Sequence, residues 1–129
     1  MPEDGNVRRL RISAGRLTAL ARLDSSPTAT AIWDALPIEG SANTWGDEIY
    51  FAIPIHVSED DTARETVELG DLGYWPPGNA FCLFFGLTPA SRGNEIRPAS
   101  PVHVFGRLEG DATVFKQVAS GTRIHLARV

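Results

Sequence analysis

Three kinds of side chain in this chain of 129 residues could form a nucleophile, its base and an orienting acid: Cys82, His103, and a carboxylate from Glu48 or Glu68. A cysteine attacks as its thiolate, and an imidazole held by a carboxylate is a common way to generate one. Nothing in the spacing demands that arrangement. Cys82 lies in the run Phe81-Cys82-Leu83-Phe84-Phe85, where a lone cysteine reads as a small core residue. A second constellation suits recognition instead. Tyr50, Trp75, Phe84 and Phe105 would supply an apolar lining, and Glu48 and His103 its polar orientation. Sites for small molecules and peptides combine those two elements, although the same aromatics also serve as core filling. His56, His103 and His125 stand on separate segments without metal-ligand spacing, so neither a metal nor a cofactor is expected. No glycine-rich phosphate-binding motif occurs.

The elements that must carry these residues are mostly strands. Val7 to Ile12 alternates apolar residues with arginines, and Leu17, Ala19, Ala21 and Leu23 share one face of a second strand across the turn Ser13-Ala14-Gly15-Arg16. Ser25-Ser26-Pro27 marks a helix start, and Ala29, Ile32, Trp33 and Leu36 form a stripe that Pro37 ends. Glu48 to Ile53, Glu65 to Leu69, Ala80 to Phe85 and Val102 to Leu108 read as strands, with a weaker one near Glu95-Ile96-Arg97. Ser58 to Thr62 is a polar loop, and Leu72 to Asn79 reads as a turn-rich connection bearing two aromatics. Asp111 would cap a short second helix with Val114, Phe115 and Val118 inward and Gly121 at its end, before a last strand over Thr122 to Val129.

Two short helices among many strands exclude repeated strand-helix-strand units. A closed barrel is the simplest packing, because closure removes exposed strand edges. The length suits a single domain spanning 1-129, and no linker, repeat or low-complexity tract divides it. Apolar residues are 43% and charged residues 22%, ordinary for a globular protein. The net charge of -4 comes without any block of basic residues, so no nucleic-acid partner is expected. The single cysteine excludes an internal disulfide, and no stretch approaches the roughly 18 apolar residues of a membrane span. Met1 to Asn6 is polar, without the apolar stretch of a signal peptide, and the expected location is the cytoplasm.

Several segments, taken in order, resemble cyclophilins. Pro27-Thr28-Ala29 leading to Ala35-Leu36 is similar to the first cyclophilin helix, and Ile49-Tyr50-Phe51-Ala52-Ile53-Pro54 to the Phe-His-Arg-Ile-Ile-Pro strand. Glu68-Leu69-Gly70-Asp71-Leu72 resembles the Gln-Gly-Gly-Asp-Phe turn, Phe84-Phe85 the paired phenylalanines, and Val104-Phe105-Gly106-Arg107-Leu108 the Val-Phe-Gly-Lys-Val strand. Trp45-Gly46-Asp47-Glu48-Ile49-Tyr50-Phe51, Gly70 to Gly78, and Phe85-Gly86-Leu87-Thr88-Pro89 resemble more closely a bacterial and archaeal cyclophilin-like family of uncharacterised function. The resemblance implies a mainly β, closed cyclophilin-like barrel of about eight strands with two short helices capping its ends.

It also implies a test for peptidyl-prolyl isomerisation. Twisting an X-Pro bond faces a barrier near ~20 kcal/mol, which a cation-borne N–H aimed at the prolyl nitrogen lowers in the transition state. The position matching the cyclophilin arginine is Phe51, which cannot donate, and Glu68 matches the glutamine. Isomerase activity is therefore disfavoured, and binding of a small molecule or peptide in a surface groove is expected. Glu48, Tyr50, Trp75, Cys82, Phe84 and His103 are its candidate residues. Matching the paired phenylalanines of the family would turn Leu83 and Phe85 toward the groove, and a one-residue shift turns Cys82 and Phe84 there; the second is taken because Phe81, Leu83 and Phe85 make the more continuous face for a barrel interior. Pairing into a homodimer through an exposed edge or aromatic patch is compatible with the sequence.

Overall fold

The computed structural model describes residues 8–129; the polar N-terminal stretch and Val7, the first residue of the expected first strand, lie outside the described residues. Arg8–Ala14 (β1) and Leu17–Leu23 (β2) form an antiparallel hairpin, with Leu10 opposite Ala21 and Ile12 opposite Ala19. Strand alternation buries Leu10, Ile12 and Ala14 and leaves Arg11 in solvent between them. Helix α1 (Pro27–Ala35) follows. The Ala29 N–H donates to Ser26 Oγ at 3.1 Å, and Pro27 occupies the first turn, where its missing N–H costs nothing.

Seven further strands are Ile38–Ser41 (β3), Asn43–Thr44 (β4), Glu48–Ala52 (β5), Asp71–Trp75 (β6), Ala80–Phe84 (β7), His103–Leu108 (β8) and Arg123–Arg128 (β9). All nine join one antiparallel sheet in the order β3-β9-β1-β2-β8-β6-β7-β5-β4. The sheet curls until β3 and β5 touch without pairing, which makes a nearly closed barrel. At that seam the Phe51 ring lies against Gly40. A β-carbon on Gly40 would fall 2.6 Å from the ring, so the seam depends on a residue without one.

Leu10, Ile12, Leu72, Leu83 and Leu126 fill the interior with five phenylalanines. Phe51 stacks on Phe81 with ring centres 5.2 Å apart, and Phe81 meets Phe105 edge-on at 5.6 Å. Ala29 and Ile32 of α1 pack into the same cluster, as do Ala112 and Phe115 of a 3-10 helix, Ala112–Gln117. Asp111 caps that helix, its carboxylate accepting the Thr113 N–H at 2.9 Å.

Three local expectations need correction, and two short strands were not anticipated. The stretch from Leu72 to Trp75 is central strand, not connection; turn chemistry begins only at Pro76. The segment Glu65 to Leu69 is not a strand. It contributes one isolated bridge, Val67 with Ile96, beside another between Arg64 and Val102. Ile38–Ser41 and Asn43–Thr44 pair as strands despite their glycine, serine and asparagine. The second helix is 3-10 and stops at Gln117, short of Gly121. No helix among the described residues is long and apolar enough to cross a membrane.

Candidate functional site

The same alternation that fills the barrel furnishes its outer face. On β5, Ile49 and Phe51 turn inward, so Glu48 and Tyr50 turn outward. On β7, Phe81 and Leu83 turn inward with Phe85 just beyond, and Ala80, Cys82 and Phe84 turn outward. An outward face would ordinarily meet water. Here the chain from Arg64 to Val102 folds back over it, held by the paired bonds Arg64 N to Val102 O (2.8 Å) and Val102 N to Arg64 O (3.0 Å). Val102 settles directly onto β6 because residue 73 is glycine; a β-carbon there would lie 2.9 Å from the valine side chain. The result is a satellite core of Val67, Ala80, Cys82, Phe84, Ile96 and Val102, with Tyr50, Trp75 and Val104 packed against it.

A cleft of about 230 Å³ opens above this satellite core, lined by Trp45, Glu48, Tyr50, Trp75, Pro98, Ala99 and Val102. The Trp75 indole N–H donates to Ser100 Oγ at 2.6 Å and ties the far rim to the strand. Trp45 is placed by a tight turn whose N–H donates to the Glu48 carbonyl at 2.9 Å. Among the described residues no lysine, arginine or histidine lines the cleft.

Glu48 is the electrostatic centre. It is only 5% exposed, and its Oε1 has no hydrogen-bond partner among the described residues. Burial disfavours the charged carboxylate and pushes its pKa up to about 7, although the neighbouring Cys82 thiol pulls the other way. Cys82 responds in kind: burial, then the Glu48 charge, push its thiol well above the ordinary range. A thiol so protonated and enclosed is no nucleophile.

The six candidate residues separate into three groups. Glu48, Tyr50 and Trp75 converge on the cleft. Cys82 and Phe84 face the same side but lie beneath it, at 1% and 0% exposure, as part of its supporting floor. His103 is elsewhere. Val104 packs on the satellite core, so its neighbours His103 and Phe105 face the opposite side of β8. His103 is covered by the loop 58–62, with Nε2 3.2 Å from the Ser58 carbonyl and Nδ1 3.7 Å from Asp60. It therefore stands on the other face from Cys82, and the two form no nucleophile–base pair. Phe51, matched above to the isomerase arginine, points into the barrel rather than into the cleft. Glu68 is exposed in the turn before β6 and does not line the cleft. His56 bonds Asn79 and His125 pairs with Glu39, and among the described residues no three His, Cys, Asp or Glu side chains gather as a metal site would need. Trp45, Pro98, Ala99 and Val102 were not anticipated. Trp45, three residues before Glu48, carried the only usable signal.

Comparison with known proteins agrees with this architecture. The Cyclophilin-like family model matches residues 8–127. The solution structure of the hypothetical protein AF2241 from Archaeoglobus fulgidus is similar over 100% of both chains, with 44% identity and a TM-score of 0.82. No curated protein matches the chain. The chain belongs to the cyclophilin-like family.

Proposed function

We propose that this member of the cyclophilin-like family is a recognition module that binds a small molecule or a peptide side chain in the cleft between Trp45, Tyr50 and Trp75. One observation carries the reading: Glu48, whose Oε1 is buried without a partner among the described residues, lines an otherwise apolar, aromatic-lined cleft. Leaving a buried acceptor unsatisfied costs about 1–3 kcal/mol, a cost that a ligand's donor removes. A purely structural glutamate would face water or pair with a cation, as Glu109 does with Arg9 and Arg22.

Isomerase chemistry is not favoured. The cleft presents no guanidinium or ammonium to the prolyl nitrogen, and its one ionisable acid accepts rather than donates once charged. We also place the protein in the cytoplasm, where its free thiol at Cys82 stays reduced, and take β4 at the sheet edge as the candidate contact for a second copy.

A thermal-shift screen of metabolites and short peptides tests the reading. A ligand that binds only the folded chain raises its melting temperature. The expected hits lose their effect when Trp75 is changed to Ala; hits indifferent to Trp75→Ala and Tyr50→Phe would move the site elsewhere, and an empty screen would count against a recognition role.

A further inference from the structure

Resting on that reading of the cleft, we propose that its ligand carries an ammonium group on an apolar stem, seated among Trp45, Tyr50 and Trp75 with its N–H bonds directed at Glu48. The argument begins with the orphan oxygen. Glu48 Oε1 accepts no bond from any of the described residues, and Glu48 is walled from solvent on nearly every side. An acceptor in that state selects a donor. The surrounding rings sharpen the choice, because two tryptophans and a tyrosine line the cleft, and an organic cation is attracted to the electron-rich faces of such rings, most strongly to tryptophan. Among the described residues no basic side chain lines the cleft to neutralise the acid in advance. At about 230 Å³ the cleft is also smaller than the ~300–1,000 Å³ typical of sites for drug-sized molecules. It fits one group of side-chain dimensions.

The state of Glu48 suits this ligand. With its pKa near 7, the free carboxyl is half ionised close to neutral pH. A cation binds the ionised form, so binding expels the remaining proton. The titratable groups facing Glu48 are Cys82 of β7, whose thiol burial keeps neutral, and Tyr50 on its own strand. The covering chain presents only Pro98, Ala99 and Val102 to the cleft.

Two sources share this chemistry: the side chain of a lysine in a peptide, and a free primary amine. Titration calorimetry on the full chain separates them with four probes. These are n-butylammonium chloride, its neutral analogue 1-butanol, a blocked alanine-lysine-alanine tripeptide, and the same tripeptide acetylated on its lysine. Butylammonium is expected to bind at least tenfold more tightly than butanol at pH 8. Its affinity should fall roughly tenfold between pH 8 and pH 6, following the ionised fraction of Glu48. Glu48→Gln, which keeps the shape, should abolish the preference over butanol. Tighter binding of the unmodified tripeptide, lost on acetylation, would assign a peptide lysine. Tighter binding of butylammonium would assign a free amine. Butanol binding as well as butylammonium, or an affinity indifferent to pH, overturns the ammonium inference and leaves a cleft for neutral groups. Silence from all four probes overturns it as well, while the cleft itself stands or falls with the wider screen. The pH arm uses the unaltered chain, so it is decisive even if Glu48→Gln folds poorly.

Discussion

Two apolar clusters lie back to back on β7, and they differ in how their groups are satisfied. Inside the barrel, Phe51, Phe81 and Phe105 pack ring to ring, and the one buried tyrosine among the described residues, Tyr74, donates its hydroxyl to Asn79 Oδ1 at 2.9 Å and accepts the Val57 N–H at 3.1 Å. Outside, Cys82 and Phe84 are buried just as deeply, but the cluster they support ends in a carboxyl one of whose oxygens, Glu48 Oε1, has no partner among the described residues. The same strand thus carries one core complete in itself and one that stops short of completion. A protein maintains such a defect against selection for stability when the unpaired group is used, and strained or unsatisfied groups concentrate at functional sites.

Substitutions on the two faces of β7 can break this contrast. Phe81→Ala opens a hole in the interior and should cost about 3–5 kcal/mol in chemical denaturation, while a variant kept folded by low temperature still binds cleft ligands. Phe84→Ala should cost a similar amount and also lower cleft affinity, since that ring is the floor. Equal effects of both on binding would erase the distinction.

Acidity provides the next test. Unfolded, Glu48 returns to its ordinary value near 4.5, against about 7 when folded. Between those values the folded chain holds more protons, so this group's contribution to stability falls as pH rises through the window, by up to about 3 kcal/mol, and is level above it. The difference between unfolding curves of the native chain and Glu48→Gln isolates the effect; parallel curves across the window would mean that Glu48 is solvated.

Glu48→Leu removes the buried acid altogether and should stabilise the chain by about 1–3 kcal/mol while abolishing ammonium binding. A loss of stability would show that the carboxyl is satisfied after all. The smallest effect belongs far from both clusters, where the Arg128 guanidinium sits 4.7 Å from the Trp33 ring centre. Arg128→Ala should cost about 0.5–1 kcal/mol and leave binding unchanged.

Elements with their own local signal were legible in the sequence. The Ser26-Pro27 cap set the helix start, and the apolar patterns marked β1, β2, β5 and β7; which face of β7 lines the barrel stayed open between two registers until the structure put Phe81 and Leu83 inside. Where a residue type served tertiary packing, the reading failed. Gly73 looks like turn material, yet its role is to let Val102 approach, and the tyrosine and tryptophan beside it belong to a strand. Gly40 hid β3 in the same way. Similarity of letters aligned Phe51 with a cleft residue, whereas the phase of the strand places Glu48 and Tyr50 there. The roof of the cleft was invisible for a different reason: Pro98, Ala99 and Val102 come from irregular chain, whose position is fixed by two backbone bonds to Arg64 rather than by any periodic pattern.

The bond between Trp75 and Ser100 reaches further than rim anchoring. With its N–H engaged by that hydroxyl, the indole can offer a visitor its π surface but not its donor. One small alcohol thereby decides how a large ring introduces itself. Deleting it, as in Ser100→Ala, would free the N–H to court acceptors such as carbonyls, and would shift the preference of the pocket from positively charged guests toward polar neutral ones.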